Sequence, residues 1–553
     1  MNKKILFLII LGIIIFGARL VNINEALYDD ESNFAYSVTV MDKFGFNQDY
    51  YSAQPLNLIY KPIILLFGLE TWVFRIVPWL FGIINTIFVY IFARRNWGKQ
   101  TAFFAIILML ISFYPTLASL QFDVEGNLVL FSILLMFFSY LEYEKISNNR
   151  KQLFWQILAG VGLGIAIISK YNSIYIVVTL AIYSFIKRKW KLKQSFNDLF
   201  IIYLVGFLLF CCYVLLGIVQ SPQNWLDFIW VLGFDRYHSS NFGFMGISIY
   251  LLWSTSLLFG FYILSLFKTF KKNLILIVWV TIPILFFTFI LPTAGSMDRY
   301  FMNTIPALVI LGGFYISKIN LKKKHLILGS LILVIYTIFL FIINTQPMKY
   351  IARFPSLYFN ELRNFNINFL FSYTSASGPT FGVNFATIFF TFIIAFTFLI
   401  IFIIILKRNF SLAKWFFTIF LFISISFNIF LVSEHIFHPT GVDVSDVKWE
   451  MINYVKENNL DQGKIYTNDQ GIQWYFEHDY WHKNNKTIGF GDNEISTKPT
   501  LTIKNINTWG GTIILLHWPP LPEDSPAWDV TKLCELNRQF HSKNILNGEV
   551  YTC

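Results

Sequence analysis

Charge is scarce in this sequence. Asp, Glu, Lys and Arg make up 14% of its 553 residues, about half the share usual in soluble domains. Cysteine is scarcer still, with four in the whole chain. That is too few for a secreted disulfide scaffold. Internal repeats and low-complexity linkers are missing, and so is the polar–apolar alternation of a transmembrane barrel. What fills the chain is apolar: 56% of residues are hydrophobic and 62 are Phe. A disordered chain and an ordinary soluble enzyme are both excluded. The apolar stretches are continuous and about 20 residues long, which predicts a polytopic α-helical membrane protein.

The net charge of +11 invites a nucleic-acid reading, but its distribution gives a simpler one. Of the 43 basic residues, 23 fall in seven short clusters between apolar runs: Lys3-Lys4, Arg94-Arg95-Lys99, Lys145-Arg150-Lys151, Lys187 to Lys193, Lys268-Lys271-Lys272, Lys318 to Lys324 and Lys407-Arg408-Lys414. Basic loops mark the cytoplasmic side of a membrane protein, so no nucleic-acid partner is called for. Apolar runs occur near 4–22, 72–93, 101–118, 126–141, 153–169, 172–186, 199–218, 247–267, 274–291, 303–317, 325–343, 382–406 and 415–432. Thirteen spans starting inside put all seven clusters on one face. The expected protein is a multi-pass protein of the plasma membrane, with its N-terminus inside and its C-terminal tail outside. The first run lacks a small-x-small cleavage site and reads as a retained anchor.

Two external segments are long enough to carry function. Segment 23–71 holds a helical stretch with Phe34, Val38 and Met41 on one face, and a second apolar stretch after Pro55. Both read as helices lying in the membrane interface. The other is the tail. We expect residues 1–432 to form the membrane domain and 433–553 a separate external α/β domain. In the tail, Val444–Asn458 reads as an amphipathic helix, and Lys464–Thr467, Thr512–Leu516 and Glu549–Thr552 read as strands. Cys534 and Cys553 either close a loop of about 19 residues, adding roughly 3 kcal/mol, or stay reduced, depending on the compartment.

Ionisable groups at external helix ends are the candidates for chemistry. The densest group is Tyr28-Asp29-Asp30-Glu31. Asp30 is either a helix cap or a base, and the two are compatible: a carboxylate fixed at a helix start is well oriented to accept a proton. Asp123 and Glu125 form a second acidic site, alternatively a solvated loop. Lys170, Arg236 and Arg299 stand at external ends and break the basic-inside pattern, either by snorkelling or as anion ligands. Two acidic groups beside three external cations suit a lipid phosphate lying at the surface near a carboxylate base.

These residues, in this order, resemble the GT-C glycosyltransferases that use polyprenyl-phosphate sugars. The likeness is greatest to the protein O-mannosyltransferase and lipid A aminoarabinose transferase branch. It rests on Asp30-Glu31, on Gln54-Pro55-Leu56 with Leu66-Phe67-Gly68 and Phe74 to Pro78, and on Asp123. Further along it rests on Gly162 to Lys170, on Phe228 to Tyr237 and on Asp298-Arg299-Tyr300. The resemblance implies an inverting transfer from a polyprenyl-phosphate-linked donor to a lipid, glycan or protein acceptor on the extracytoplasmic face. It makes Asp30 the base, with Glu31 and Asp123 beside it in the catalytic group. Lys170, Arg236, Tyr237, Arg299 and Tyr300 would bind the donor phosphate. The aminoarabinose branch carries a Glu near Gln54 and a His near Gly233. Neither is present here, and His238 reads as a loop residue. No metal ligand is therefore assigned, and use of a divalent ion stays open.

Two other functions compete. A transporter or flippase of lipid-linked sugars would place paired polar residues at the membrane midplane in inverted repeats, which the sequence does not show. A polymerase or ligase of lipid-linked glycans shares the donor type and the external site. The tail aromatics, among them Trp474, Tyr475, Trp509, Trp518 and Trp528, suit either sugar stacking or packing.

Overall fold

The computed structural model describes residues 3–27, 31–32, 34–35, 38, 54–122, 125–220, 256–290, 298–319, 321–349, 351, 355–372, 382–406, 408–440 and 444–476, and in the last part 503–504, 506–507, 510–517, 525, 527–542 and 545–553. Among them, eight helices are long and apolar enough to cross a membrane, and five shorter apolar helices accompany these. The chain is an integral membrane protein. It gathers into two compact units. One comprises Met1–Val21, Ser37–Phe339 and Phe390–Val432; the other comprises Asn22–Tyr36, Leu340–Phe389 and Ser433–Cys553.

The first unit is a helical bundle. It opens with α1 (Lys3–Arg19), α2 (Gln54–Phe67), α3 (Thr71–Trp97), α4 (Lys99–Ile111) and α5 (Phe113–Ala118), followed by α6 (Leu130–Lys145), α7 (Asn149–Ser169), α8 (Tyr175–Lys187) and α9 (Leu192–Gln220). Further along lie α10 (Ser256–Lys268), α11 (Leu274–Leu285) and α12 (Ile305–Ile319). In lipid, helices associate through close packing rather than hydrophobic exclusion. Gly162 supplies this: a Cβ there would meet Ser132 O at 2.7 Å, so α6 and α7 touch backbone to backbone.

The run 101–118, expected as one span, is instead two helices broken at Ser112, which is extended at ψ 143°. Pro115 is the reason. Inside a continuous helix its ring would clash with the carbonyl four residues back, whereas in the first turn of α5 it is tolerated. The freed Phe113 N–H donates to Asn428 Oδ1 at 3.3 Å. At other helix ends, three carboxylates pair with residues from the basic clusters. Glu142 meets Arg95 and Lys145, Glu144 meets Lys187, and Asp198 meets Arg188.

The second unit joins helix ends, short strands and the tail. It takes in the ends of α13 (Lys323–Asn344), α14 (Pro355–Arg363), β1 (Leu370–Ser372), β2 (Gly382–Asn384), the start of α15 (Phe385–Ile405) and the end of α16 (Phe410–Phe437). Asn344 ties these together: its amide donates to Thr440 Oγ1 at 2.8 Å and its carbonyl accepts from Asn384 N at 2.7 Å. Thr440 Oγ1 in turn bonds the fully buried Glu434.

The tail is a small α/β fold, as its sequence pattern predicts. α17 (Val444–Glu457) packs its Val444, Val447, Met451, Ile452 and Val455 on a four-stranded sheet. The strands are β3 (Ile465–Thr467), β4 (Thr512–Leu516), β5 (Glu535–Ser542) and β6 (Ile545–Thr552), ordered β3-β4-β6-β5. Only the β3–β4 pair is parallel. The edge strand β5 escapes a reading by alternation because Glu-Leu-Asn-Arg-Gln is exposed throughout, and charge on an edge is a usual guard against further pairing. Cys534 and Cys553 are bonded as a disulfide.

Candidate functional site

In the first unit, two elements meet around Lys170. α7 ends at Ser169, and Lys170 leaves it in an extended conformation before the turn Tyr171–Ile174. Its ammonium lies 5.5 Å from the centre of the Tyr300 ring, within range of a cation–π contact. Both residues are buried. Tyr300 belongs to the turn Asp298–Thr304 and stacks on Phe287 at 5.4 Å. Phe287 in turn meets Tyr175, at the start of α8, at 5.6 Å. Lys170 therefore projects along an aromatic wall built by three elements.

Further buried polar groups occupy the same two segments. Among the described residues, neither amide atom of Asn172 has a hydrogen-bond partner, nor does Ser169 Oγ or Asn303 Oδ1. Buried unsatisfied groups are rare and usually have a cause, such as a bound water or ligand.

The backbone leading to Asp123 is held from several sides. Arg75 Nε donates to Leu120 O at 3.3 Å. The Phe122 ring packs on Tyr60 at 4.7 Å and Phe74 at 5.2 Å, and Tyr60 Oη donates to Phe74 O at 2.5 Å. Upstream, the fully buried Arg19 donates to Ser119 Oγ and Thr116 Oγ1, each at 2.9 Å. Just past Asp123 the chain forms a π-turn, Glu125–Val129, which packs against Asp298–Thr304. Such turns leave carbonyls short of partners and recur at functional sites. Here Asn85, in the middle of α3, donates to Asn127 O at 3.1 Å.

Of the expected site residues, Lys170 and Tyr300 are brought together. Asp30, Asp123, Arg236 and Tyr237 lie outside the described residues, and of Arg299 only the backbone is described. Glu31 belongs to the second unit, where it is buried at 2% exposure. Arg19 and Asn85 are absent from the sequence-based site. Each nevertheless left a signal: a cation at the far end of the first span from Lys3-Lys4, and a lone amide inside an apolar run. Among the described residues no three His, Cys, Asp or Glu side chains group as a metal site.

The whole described chain superposes on the crystal structure of ArnT from Cupriavidus metallidurans in the apo state. The TM-score is 0.61 at 14% identity, covering 99% of this chain and 97% of that one. The chain thus shares the fold of that protein. The same protein bound to undecaprenyl phosphate gives a TM-score of 0.62 at 15% identity, with the same coverage. Residues 56–215, from α2 to α9, match the family model of dolichyl-phosphate-mannose-protein mannosyltransferases. That stretch contains Arg75, Asp123 and Lys170. An uncharacterized protein of Aquifex aeolicus is 22% identical over 348 residues, 60% of this chain and 78% of that one.

Proposed function

We propose that the protein is a membrane glycosyltransferase that moves a sugar from a polyprenyl-phosphate-linked donor to an acceptor hydroxyl on the extracytoplasmic face, with inversion at C1. The observation that carries this reading is the buried Lys170 ammonium lying on the Tyr300 ring in a GT-C fold. A donor phosphate reaching that ammonium would accept a charge-assisted hydrogen bond from it. Arg236, Arg299 and Tyr237 join Lys170 and Tyr300 around that phosphate. Asp30 removes the proton from the acceptor hydroxyl, and Glu31 and Asp123 orient the base. The acceptor oxygen attacks C1 as the bond from C1 to the phosphate oxygen breaks. The electron pair leaves on the lipid phosphate, where the cations stabilise the growing charge. Phosphate is a good leaving group, so no strong general acid is required.

Asp30→Asn tests this reading. Asn caps a helix about as well as Asp, so the variant loses only basicity. It should fold and bind undecaprenyl phosphate yet lose transfer by about 10²-fold or more, while Asp29→Asn stays active. Comparing the glycolipids and glycoproteins of cells with and without the protein would identify the sugar and acceptor. Lipid-linked sugar that crosses the membrane uncleaved would point to a flippase instead.

A further inference from the structure

Resting on that reading, we infer that the C-terminal tail holds the chain leading into the catalytic acidic segment through a buried lysine clamp, with Lys448 as the positioning residue. Lys448 lies on the packed face of α17, four residues from both Val444 and Ile452, and is 1% exposed. Its Nζ donates to Leu27 O at 3.1 Å and pairs with Asp469 Oδ2 at 2.8 Å. An isolated buried ammonium is costly. Here the charge is compensated by Asp469, and part of its hydrogen-bonding capacity is spent on a backbone carbonyl more than four hundred residues earlier in the chain.

The contact is one of several along the same short segment. Ala26 N–H donates to Ser445 Oγ at 2.9 Å, Trp449 Nε1 to Asn24 O at 3.3 Å, and Glu25 faces His438 at 3.4 Å. Leu27 O also rests on Gly471 so closely that a Cβ there would overlap it. Leu27 directly precedes Tyr28-Asp29-Asp30 in the sequence, and Glu31 after them is buried. Three residues span at most about 10 Å, so anchors on both sides limit where a carboxylate between them can go. A carboxylate misplaced by about 1 Å can lose about 10²-fold in rate.

The test uses the full chain in nanodiscs, comparing wild type with Lys448→Met, Lys448→Arg and Gly471→Ala. The first removes the charge and the last crowds the carbonyl, so the two disturb one contact by unrelated means. Three quantities are read: hydrogen exchange of peptides covering 24–35, affinity for undecaprenyl phosphate, and turnover of mannosyl polyprenyl phosphate. Lys448→Met and Gly471→Ala should each speed exchange of the Ala26 amide by about 10-fold or more. Both should cut turnover about 10-fold or more and leave lipid affinity and β4–β6 exchange unchanged, with Lys448→Arg recovering much of the turnover. Unchanged turnover despite faster exchange at 24–35 would overturn the inference. Faster exchange spread through β4 and β6 would also overturn it, because Lys448 would then serve only the stability of the tail. Wild-type protein that neither binds nor cleaves the lipid would sink the transferase reading instead, and the exchange data would still report whether the clamp holds the segment.

Discussion

Lys170 shows how much one side chain can be asked to do at the end of a membrane helix. Its ammonium lies beside the Tyr300 ring, a contact that stabilises a cation. An arriving phosphate then gains a charge-assisted bond of ~1.5–3 kcal/mol, or about 10- to 100-fold in affinity. Lys170→Met should therefore weaken undecaprenyl phosphate binding by that factor, read by titration in nanodiscs. Tyr300→Phe, which keeps the ring, should leave the cation–π part intact. Asn85 belongs to the same scale. Asn85→Leu removes the donor to Asn127 O, a loss of ~0.5–1.5 kcal/mol for one hydrogen bond. A lower thermal midpoint together with reduced turnover is expected, because the π-turn it supports adjoins Asp123.

At the scale of elements, the tail sheet is braced by charge as well as by its core. Glu549 on β6 accepts from His517 at 3.2 Å, Tyr551 at 2.6 Å and Gln539 at 3.1 Å. Burial alone would raise its carboxyl pKa, but these hydrogen bonds outweigh burial and hold it below its ordinary value. A lowered folded-state pKa stabilises the fold above the unfolded value, near 4.5, and that stability is lost as pH falls through the folded pKa. Protease resistance of the tail should thus drop on acidification below about pH 4.5. Glu549→Gln should flatten that acid limb. The Cys534–Cys553 bond closes the other end of the sheet, beside Gly511, and reducing it should cost ~3 kcal/mol, visible as a lower midpoint for loss of tail protection.

For the whole molecule, sidedness is the question with the largest consequence. The seven basic clusters argue for a cytoplasmic N-terminus and an external tail. Protease added to intact cells stripped of their wall should then remove residues beyond about 433. Cleavage only in inverted vesicles would reverse the topology and move the acceptor to the cytoplasm. The GT-C likeness was legible in the order of the sequence's short motifs, and the membrane class was legible because hydropathy over about 20 residues is a local property. The tail helix and β4 were legible for the same reason: their patterns match the period of one element. β5 was not, since an exposed edge strand has no buried face to print a pattern.

The resemblance read from the sequence placed Lys170 and Tyr300 in one expected phosphate-binding group with Arg236, Tyr237 and Arg299. Only the tertiary structure decided that Lys448 takes Leu27 O and Asp469 as its partners, and that Arg19, Arg75 and Asn85 brace the approach to Asp123. Each of these depends on a contact between residues distant in the chain. Burial cost and hydrogen-bond pairing are fixed by whatever comes to lie opposite a side chain, and neither periodicity nor composition carries that information.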